Sequence, residues 1–134
     1  SRLCFRMALF PTATHDVSDR VIGAAISVHK CLGPGLLESA YRQCLFWELT
    51  ARDLPCRMEV PVGVTYRGRH VEAAYRIDLL VADCLIVELK SVERLNPVHQ
   101  SQMLTYLKVT GLRTGLIINF NVEILKNGLR RVLL

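Results

Sequence analysis

The stretch RIDLLVADCLIVELK, residues 76–90, decides both the fold and the chemistry that this sequence predicts. Two apolar, β-prone segments, residues 75–81 and 85–89, flank a short polar break. Apolar runs of this length joined by so short a break indicate a β-hairpin. The stretch therefore predicts two antiparallel neighbours within a hydrophobic sheet.

The register of this hairpin determines which polar side chains meet. If the hairpin is centred on Asp83, then Asp78 lies directly across from Glu88, since each is five residues from the centre. Cross-strand neighbours have Cβ atoms about 5 Å apart. Side chains alternate faces along a strand, so Glu88 and Lys90 point the same way as Asp78. A slip of one residue would move Asp78 to the opposite face.

The predicted pair of carboxylates needs a positive charge nearby. Two adjacent carboxylates repel each other unless a cation or a proton neutralises one of them. Oxygen ligands of this kind suit Mg²⁺, for which Mn²⁺ can substitute. Glu-x-Lys pairs also occur in many strands as solvated cross-strand charges, so the case for a site depends on Asp78 and on the apolar neighbours.

Composition favours a single folded domain without a membrane-spanning segment. The chain has 134 residues, of which 51% are hydrophobic and 22% are charged. Such a chain buries enough apolar surface to fold. The net charge of +5 permits a polyanionic partner without requiring one. No apolar run in the sequence approaches the ~20 residues that a membrane span needs.

The five cysteines are widely spaced and include no CxxC pair. This pattern is typical of small buried hydrophobes in a reducing compartment, and not of a disulfide framework or a zinc site. Because the start of the chain also has no convincing signal-peptide core, we expect a cytoplasmic protein. We interpret residues 1–15 as a poorly ordered leader and residues 16–134 as one domain.

The first predicted helix follows this leader. Asp16 or Ser18 provides a cap, and an apolar stripe at helical spacing extends from there to Leu32. The Gly-Pro-Gly sequence at residues 33–35 ends the helix.

Two further helices are predicted along the chain. The second covers about residues 36–52. Its expected buried side consists of Leu37, Tyr41, Cys44, Leu45 and Leu49. The third begins at Asn96-Pro97 and ends at Gly111.

The remaining segments have the patterns of strands and turns. Apolar residues alternate over residues 58–64, and the sequence YRGR at residues 66–69 suits a turn. Residues 116–120 form an almost continuously apolar run, which is typical of a strand covered on both faces. Residues 124–132 carry Asn127-Gly128 between apolar flanks, which predicts a two-residue hairpin.

The order of these elements, with an aspartate on the second strand and Glu-x-Lys on the third, resembles the PD-(D/E)XK nuclease superfamily. More narrowly, GLLESAY at residues 35–41 is similar to the motif of the GxxExxY protein family, a bacterial and archaeal branch of that superfamily. The further matching segments are VHK at 28–30, IDLL at 77–80, VELK at 87–90, His99, Gln102, Tyr106 and GLIINF at 115–120. The resemblance covers roughly residues 17–132.

The resemblance implies an α/β, restriction-endonuclease-like fold, in which helices flank a central mixed sheet. It also implies a divalent metal held by Asp78, Glu88 and the backbone carbonyl of Leu89. Lys90 would orient or activate the attacking water and stabilise charge on the phosphate oxygens. Glu38 would complete the acidic cluster, directly or through water.

The third predicted helix carries a polar stripe. His99, Gln102 and Tyr106 are three and four residues apart and therefore lie on one face. Gln102 and Tyr106 match a glutamine–tyrosine pair that some exonuclease-like branches carry on this helix, and His99 is an accessory candidate beside them. His29 is a second accessory candidate, although a lone helical histidine is more often packed or surface-exposed.

Several charged residues have an ordinary interpretation beside the functional one. A rim that tracks phosphates is one hypothesis for Arg67, Arg69, Lys126, Arg130 and Arg131. Ordinary solvated charges account for these five residues equally well. Glu38 is likewise favourable in the first turn of any helix, because the helix dipole stabilises an acid there.

We therefore expect a Mg²⁺-dependent nuclease that cuts nucleic acid, with DNA favoured, by metal-activated water. So small a domain has little room for sequence-reading elements, and specificity would come from nucleic-acid structure, a homodimer or a partner protein. The alternative is a catalytically silent nucleic-acid-binding or protein-interaction module on the same fold. A weaker option is a metal-dependent hydrolase of another phosphate ester.

Overall fold

A computed structural model describes the backbone of residues 11–134 and the side chains from residue 14 onward. In chain order the elements are α1 (Pro11–Leu32), α2 (Glu38–Ala51), β1 (Cys56–Tyr66), β2 (Arg69–Val81), β3 (Leu85–Lys90), α3 (Pro97–Thr110), β4 (Thr114–Asn119), a 3-10 helix (Leu125–Gly128) and β5 (Leu129–Leu133). None of the described helices combines the length and the apolar character needed to cross a membrane.

The strands within the described residues form one sheet in the order β1-β2-β3-β4-β5. Neighbouring strands are antiparallel, except that β3 and β4 are parallel. Parallel neighbours need a long crossover connection, and α3 provides it. The predicted α/β architecture, a central mixed sheet flanked by helices, is confirmed.

Helices cover both faces of this sheet. α1 and α2 pack on one face, over a core that includes Leu45 and Leu89. α3 packs on the other face, where Met103 and Tyr106 share a core with Ile86. Because side chains alternate along β3, the residues two and four positions after Ile86 also point toward the α3 face.

The β2–β3 register is the one that the sequence predicts. Leu79 pairs with Val87, so the hairpin is centred on Asp83. Asp83 has a φ of 54°, in the left-handed region that a tight turn of this kind uses. By the same register Asp78 lies across from Glu88. The two acidic residues therefore occupy neighbouring positions at the centre of the sheet.

The first helix begins earlier than the sequence predicts. α1 starts at Pro11, so Asp16 and Ser18 lie inside it, and the predicted cap at either residue is wrong. Proline suits the first helical position, because an N–H group there has no intrahelical acceptor. Of the predicted leader, residues 1–10 lie outside the described residues and residues 11–15 are helical.

The second helix has a later start than predicted. α2 begins at Glu38, so Leu37 is its N-cap residue, and Leu37 is exposed instead of buried. Tyr41, Leu45 and Leu49 do form the buried side. The helical stripe predicted this face correctly, but it could not show where the chain leaves the preceding turn.

The predicted hairpin at the C-terminal end is wrong. Asn127 and Gly128 lie in the 3-10 helix, and the following strand β5 pairs with β4. The glycine is needed for close approach, since a Cβ at Gly128 would collide with the backbone carbonyl oxygen of Asn119. The Asn-Gly pair therefore serves packing against the end of β4.

We predict that Tyr41→Phe destabilises the protein by about 1–3 kcal/mol. The Tyr41 hydroxyl donates to the Gly33 carbonyl at 2.5 Å and accepts from the Leu36 N–H at 3.1 Å, so it closes the glycine turn. The ring, stacked on Phe120 at 4.4 Å, is retained in the variant. Urea unfolding measures the effect, with the exposed Tyr66→Phe as control. Equal stability of both variants would show that the turn does not depend on this hydroxyl.

Candidate functional site

Asp78 and Glu88 lie just beyond the last residues at which β2 and β3 pair. Hydrogen bonds from backbone N–H groups fix both of their carboxylates. The backbone N–H of Asp78 donates to Glu88 Oε1 at 2.9 Å. The backbone N–H of Leu89 donates to Asp78 Oδ2 at 2.8 Å. Each carboxylate thus accepts a hydrogen bond from the opposite strand, and charge-assisted bonds of this kind hold both side chains in one orientation.

Glu88 is a deeply buried acid beside a second acid. Only 6% of the residue is exposed. Burial, and after it the charge of Asp78, raise the pKa of Glu88 to about 8, while the hydrogen bond from the Asp78 N–H and the charge of Lys90 lower it. The buried Glu88 carboxyl therefore tends to keep its proton near neutral pH.

Arg42 supplies positive charge to the pair from α2. Its guanidinium contacts Asp78 Oδ1 at 3.1 Å and Glu59 Oε1 at 3.3 Å. Sequence reasoning missed both Arg42 and Glu59. Arg42 follows Glu38 by four residues, so the helical spacing could have placed it on the same face. The sequence contained no signal for the contact with Glu59.

Glu38 joins the start of α2 to the segment after β3. Its Oε2 accepts a hydrogen bond from the Ser91 N–H at 3.3 Å, and the Ser91 hydroxyl donates to the Leu36 carbonyl at 2.6 Å. Ser91 directly follows Lys90. The structure therefore brings the Glu38 carboxylate to the strand end that carries the predicted catalytic lysine.

Asn119, which sequence reasoning also missed, holds the chain beyond Lys90. Its side chain accepts from the Val92 N–H at 3.1 Å and donates to the Val92 carbonyl at 2.9 Å. Lys90 itself pairs with Asn119 in the β3–β4 register, and its carbonyl accepts from the Phe120 N–H at 2.9 Å. In the sequence, Asn119 is a polar residue at the end of the apolar run that forms β4. This position was the signal that could have identified it.

The α3 helix contributes Tyr106 to the same neighbourhood. Burial, followed by the charges of Glu88 and Asp78 and by the Tyr75 hydroxyl, raises the pKa of Tyr106 well above its usual value. Its ring makes an edge contact with Tyr75 at a centroid distance of 5.3 Å. The Tyr106 hydroxyl therefore stays protonated beside the carboxylates and is available as a hydrogen-bond donor.

His99 and Gln102 lie on the turns of α3 that precede Tyr106. His99 completes the capping box of the helix, its Nδ1 accepting from the Asn96 N–H at 3.2 Å. Burial and the charge of Lys90 lower the pKa of His99, against an opposing effect of Glu38. Gln102 is partly buried. The predicted polar stripe thus places His99 within electrostatic range of Lys90 and Glu38.

His29 and the five basic candidates lie elsewhere. His29 is buried, its Nε2 is 2.7 Å from the Val122 carbonyl oxygen, and its ring is near Phe120, contacts typical of a packed core histidine. Arg67 lies in the β1–β2 turn and Arg69 begins β2. At the opposite end of the strand order are Lys126 in the 3-10 helix and Arg130 and Arg131 on β5, with Arg131 paired to Asp19. The five exposed cations do not form one patch.

The donor set at the β2–β3 end suits a hard divalent cation. Asp78, Glu88 and the Leu89 carbonyl offer oxygen atoms only, and burial, with the charge of Asp78 after it, raises the pKa of Glu88. Among the described side chains, no three acidic, histidine or cysteine groups converge closely enough to hold a metal ion by themselves. Mg²⁺ commonly keeps several waters in its shell and can be held by one or two carboxylates.

A family model covers most of this chain. The sequence model of the PD-(D/E)XK nuclease superfamily matches residues 15–132. This range includes every strand-pairing contact between β2 and β3 and agrees with a restriction-endonuclease-like fold. No curated protein and no solved structure matches the chain significantly.

We predict that Glu88→Gln stabilises the metal-free protein relative to wild type increasingly between pH 5 and pH 8. The pKa of Glu88 rises from an ordinary value of 4.5 to about 8 on folding. The folded state therefore binds more protons, and stability is lost as the pH rises toward 8. Unfolding in EDTA at several pH values measures the difference between the two proteins. A difference that does not change with pH would contradict the assigned environment of Glu88.

Proposed function

Because the chain belongs to the PD-(D/E)XK nuclease superfamily, we propose that it is a divalent-metal-dependent nuclease that hydrolyses phosphodiester bonds, with DNA as the preferred substrate. One observation carries the proposal: Asp78 and Glu88 are fixed side by side through hydrogen bonds to opposite strands. The buried Glu88 has a raised pKa, and Lys90 ends the same strand. A cation-binding site at this position is the chemistry that such a pair favours.

We further propose that the chain belongs to the GxxExxY branch. The residues that carry this motif are Gly35, Glu38 and Tyr41. Gly35 has a φ of 98°, which favours glycine. Tyr41 bridges the turn, and Glu38 contacts the segment after β3. Each motif residue thus helps to set the start of α2 beside the proposed site, which supports the assignment.

Asp78, Glu88 and the Leu89 carbonyl would hold Mg²⁺, or Mn²⁺ in its place, and Glu38 would contribute through water. The ion supplies a nucleophilic water at neutral pH and offsets negative charge at phosphorus. The protein's own contribution is to keep the two carboxylates fixed by hydrogen bonds from the Leu89 and Asp78 N–H groups, so that little reorganisation is needed.

Lys90 and Tyr106 are the groups that would act on the phosphate. Lys90 lies at the partly exposed end of β3, where its ammonium can orient the water and offset charge on a non-bridging oxygen. Tyr106 is protonated at neutral pH, as its raised pKa reinforces, and its hydroxyl can donate to the substrate from α3. Gln102 and His99 lie on the turns of α3 before Tyr106 and would line the same side of the site.

Nucleic acid is the proposed partner, and the net charge of +5 favours contact with its backbone. Arg67 and Arg69 at the β1–β2 turn and Arg130 on β5 are exposed on separate parts of the fold. Cations so placed favour contact with separate backbone segments over a continuous track. A homodimer or a partner protein would then supply specificity.

A binding module without turnover is the second candidate. The ion pair between Arg42 and Asp78 favours it, because an arginine already compensates one of the two carboxylates. A site of this kind would bind nucleic acid but would neither hold a metal nor cut. The two candidates therefore differ in metal dependence.

We predict that labelled DNA and RNA, linear and branched, are cut in Mg²⁺ or Mn²⁺ and not in EDTA. Lys90→Ala should lower the rate about 100-fold or more, because a charge stabiliser is removed from the transition state. Lys108→Ala, at the exposed end of α3, is the matched control and should cut normally.

The outcome that contradicts a nuclease is the absence of cutting by folded protein with every substrate and metal. Binding of nucleic acid without cutting would favour the module. Equal rates in Lys90→Ala and wild type would remove Lys90 from the site and leave the superfamily assignment unchanged.

A further inference from the structure

We propose that Arg42 is a built-in counter-ion that holds the Asp78 carboxylate in the metal-free protein and competes with the divalent cation for it, with Glu59 as its second anchor. This inference rests on the proposed metal site at Asp78 and Glu88. It adds a residue from α2 that sets how tightly that site binds its cation.

The first support is the geometry of the guanidinium. Arg42 Nη1 is 3.1 Å from Asp78 Oδ1, and Nη2 is 3.3 Å from Glu59 Oε1. One guanidinium nitrogen therefore contacts the Asp78 carboxylate, and another contacts the Glu59 carboxylate. The Arg42 and Asp78 side chains are only 20% and 16% exposed, so water screens this pair less than a surface ion pair.

The second support is that both oxygens of Asp78 are already engaged. Oδ2 accepts the hydrogen bond from the Leu89 N–H, and Oδ1 faces Arg42. A divalent cation bound to Asp78 would lie within a few ångströms of the guanidinium. Two cations at such a separation repel each other, so Arg42 must either shift toward Glu59 or weaken the binding of the metal.

The third support is the backbone at Glu59. Its φ is 54°, although it is not a glycine and lies within β1. A residue with a side chain pays about 1–2 kcal/mol for this conformation. Its neighbours Met58 and Val60 pair with Leu79 and Ile77, so Glu59 is placed across from Asp78. The irregularity occurs where a carboxylate reaches Arg42, and it gives the arginine a second place to bind.

The test is Mn²⁺ binding, measured by electron paramagnetic resonance or calorimetry without substrate. Arg42→Gln should bind Mn²⁺ about tenfold more tightly than wild type, a factor typical of losing one charge-assisted contact. Arg52→Gln is the matched control. It removes the same charge at the C-cap of α2, about 15 Å away, where Arg52 pairs with the partly buried Glu48, and should leave Mn²⁺ binding unchanged.

Glu59→Gln keeps the inference testable if Arg42→Gln folds poorly. With Glu59 neutral, Arg42 has only Asp78 to pair with, so Mn²⁺ binding should weaken by about threefold. In a protein that already carries Arg42→Gln, Glu59→Gln should weaken Mn²⁺ binding by less than it does in wild type, because the arginine through which Glu59 acts is absent.

The outcomes separate the two proposals. Unchanged or weaker Mn²⁺ binding in Arg42→Gln, with clear binding in wild type, overturns the role of Arg42 and leaves the metal site intact. No Mn²⁺ binding in wild type, Arg42→Gln or Arg52→Gln overturns the metal site and the inference with it.

Discussion

The structure depends on two hydrogen bonds that cross between β2 and β3. The Asp78 N–H binds the Glu88 carboxylate, and the Leu89 N–H binds the Asp78 carboxylate. These bonds continue the contact between the strands past their last paired residues, so register and site depend on each other. A slip of one residue would put Asp78 on the other face of the sheet, away from Glu88 and Tyr106. The fold and the proposed site are therefore specified by the same contacts.

The rest of the molecule brings neutralising and donor groups to this pair. α2 contributes Arg42 from one side, and α3 contributes Tyr106 from the face that Glu88 points to. α3 has this position because β3 and β4 are parallel and need a crossover. Asn119 then ties the segment after Lys90 to the end of β4. Each group reaches the site from a different element, and the sheet alone would leave two carboxylates without compensation.

The sequence predicted the parts of this arrangement that local patterns control. Alternation and the short break at Asp83 were enough to place Asp78 opposite Glu88, because hairpin register depends on nearby residues. Arg42 and Glu59 were missed, since their contact joins residues far apart in the sequence. The Asn127-Gly128 hairpin was wrong for a related reason: the glycine is selected by packing against Asn119, which a local turn pattern does not contain. The catalytic roles of the site residues stay predictions; these residues are Asp78, Glu88, Lys90, Glu38, Gln102 and Tyr106.

The most direct test of the central claim is the location of a bound ion by anomalous diffraction from crystals grown with Mn²⁺. We expect one anomalous peak within about 2.5 Å of carboxylate oxygens of both Asp78 and Glu88, near the Leu89 carbonyl, with Asp78→Asn crystals showing no peak there. A peak at another position, or none at Asp78 and Glu88 in crystals whose protein is folded and saturated with Mn²⁺ in solution, would contradict the assignment of this strand pair as a metal centre.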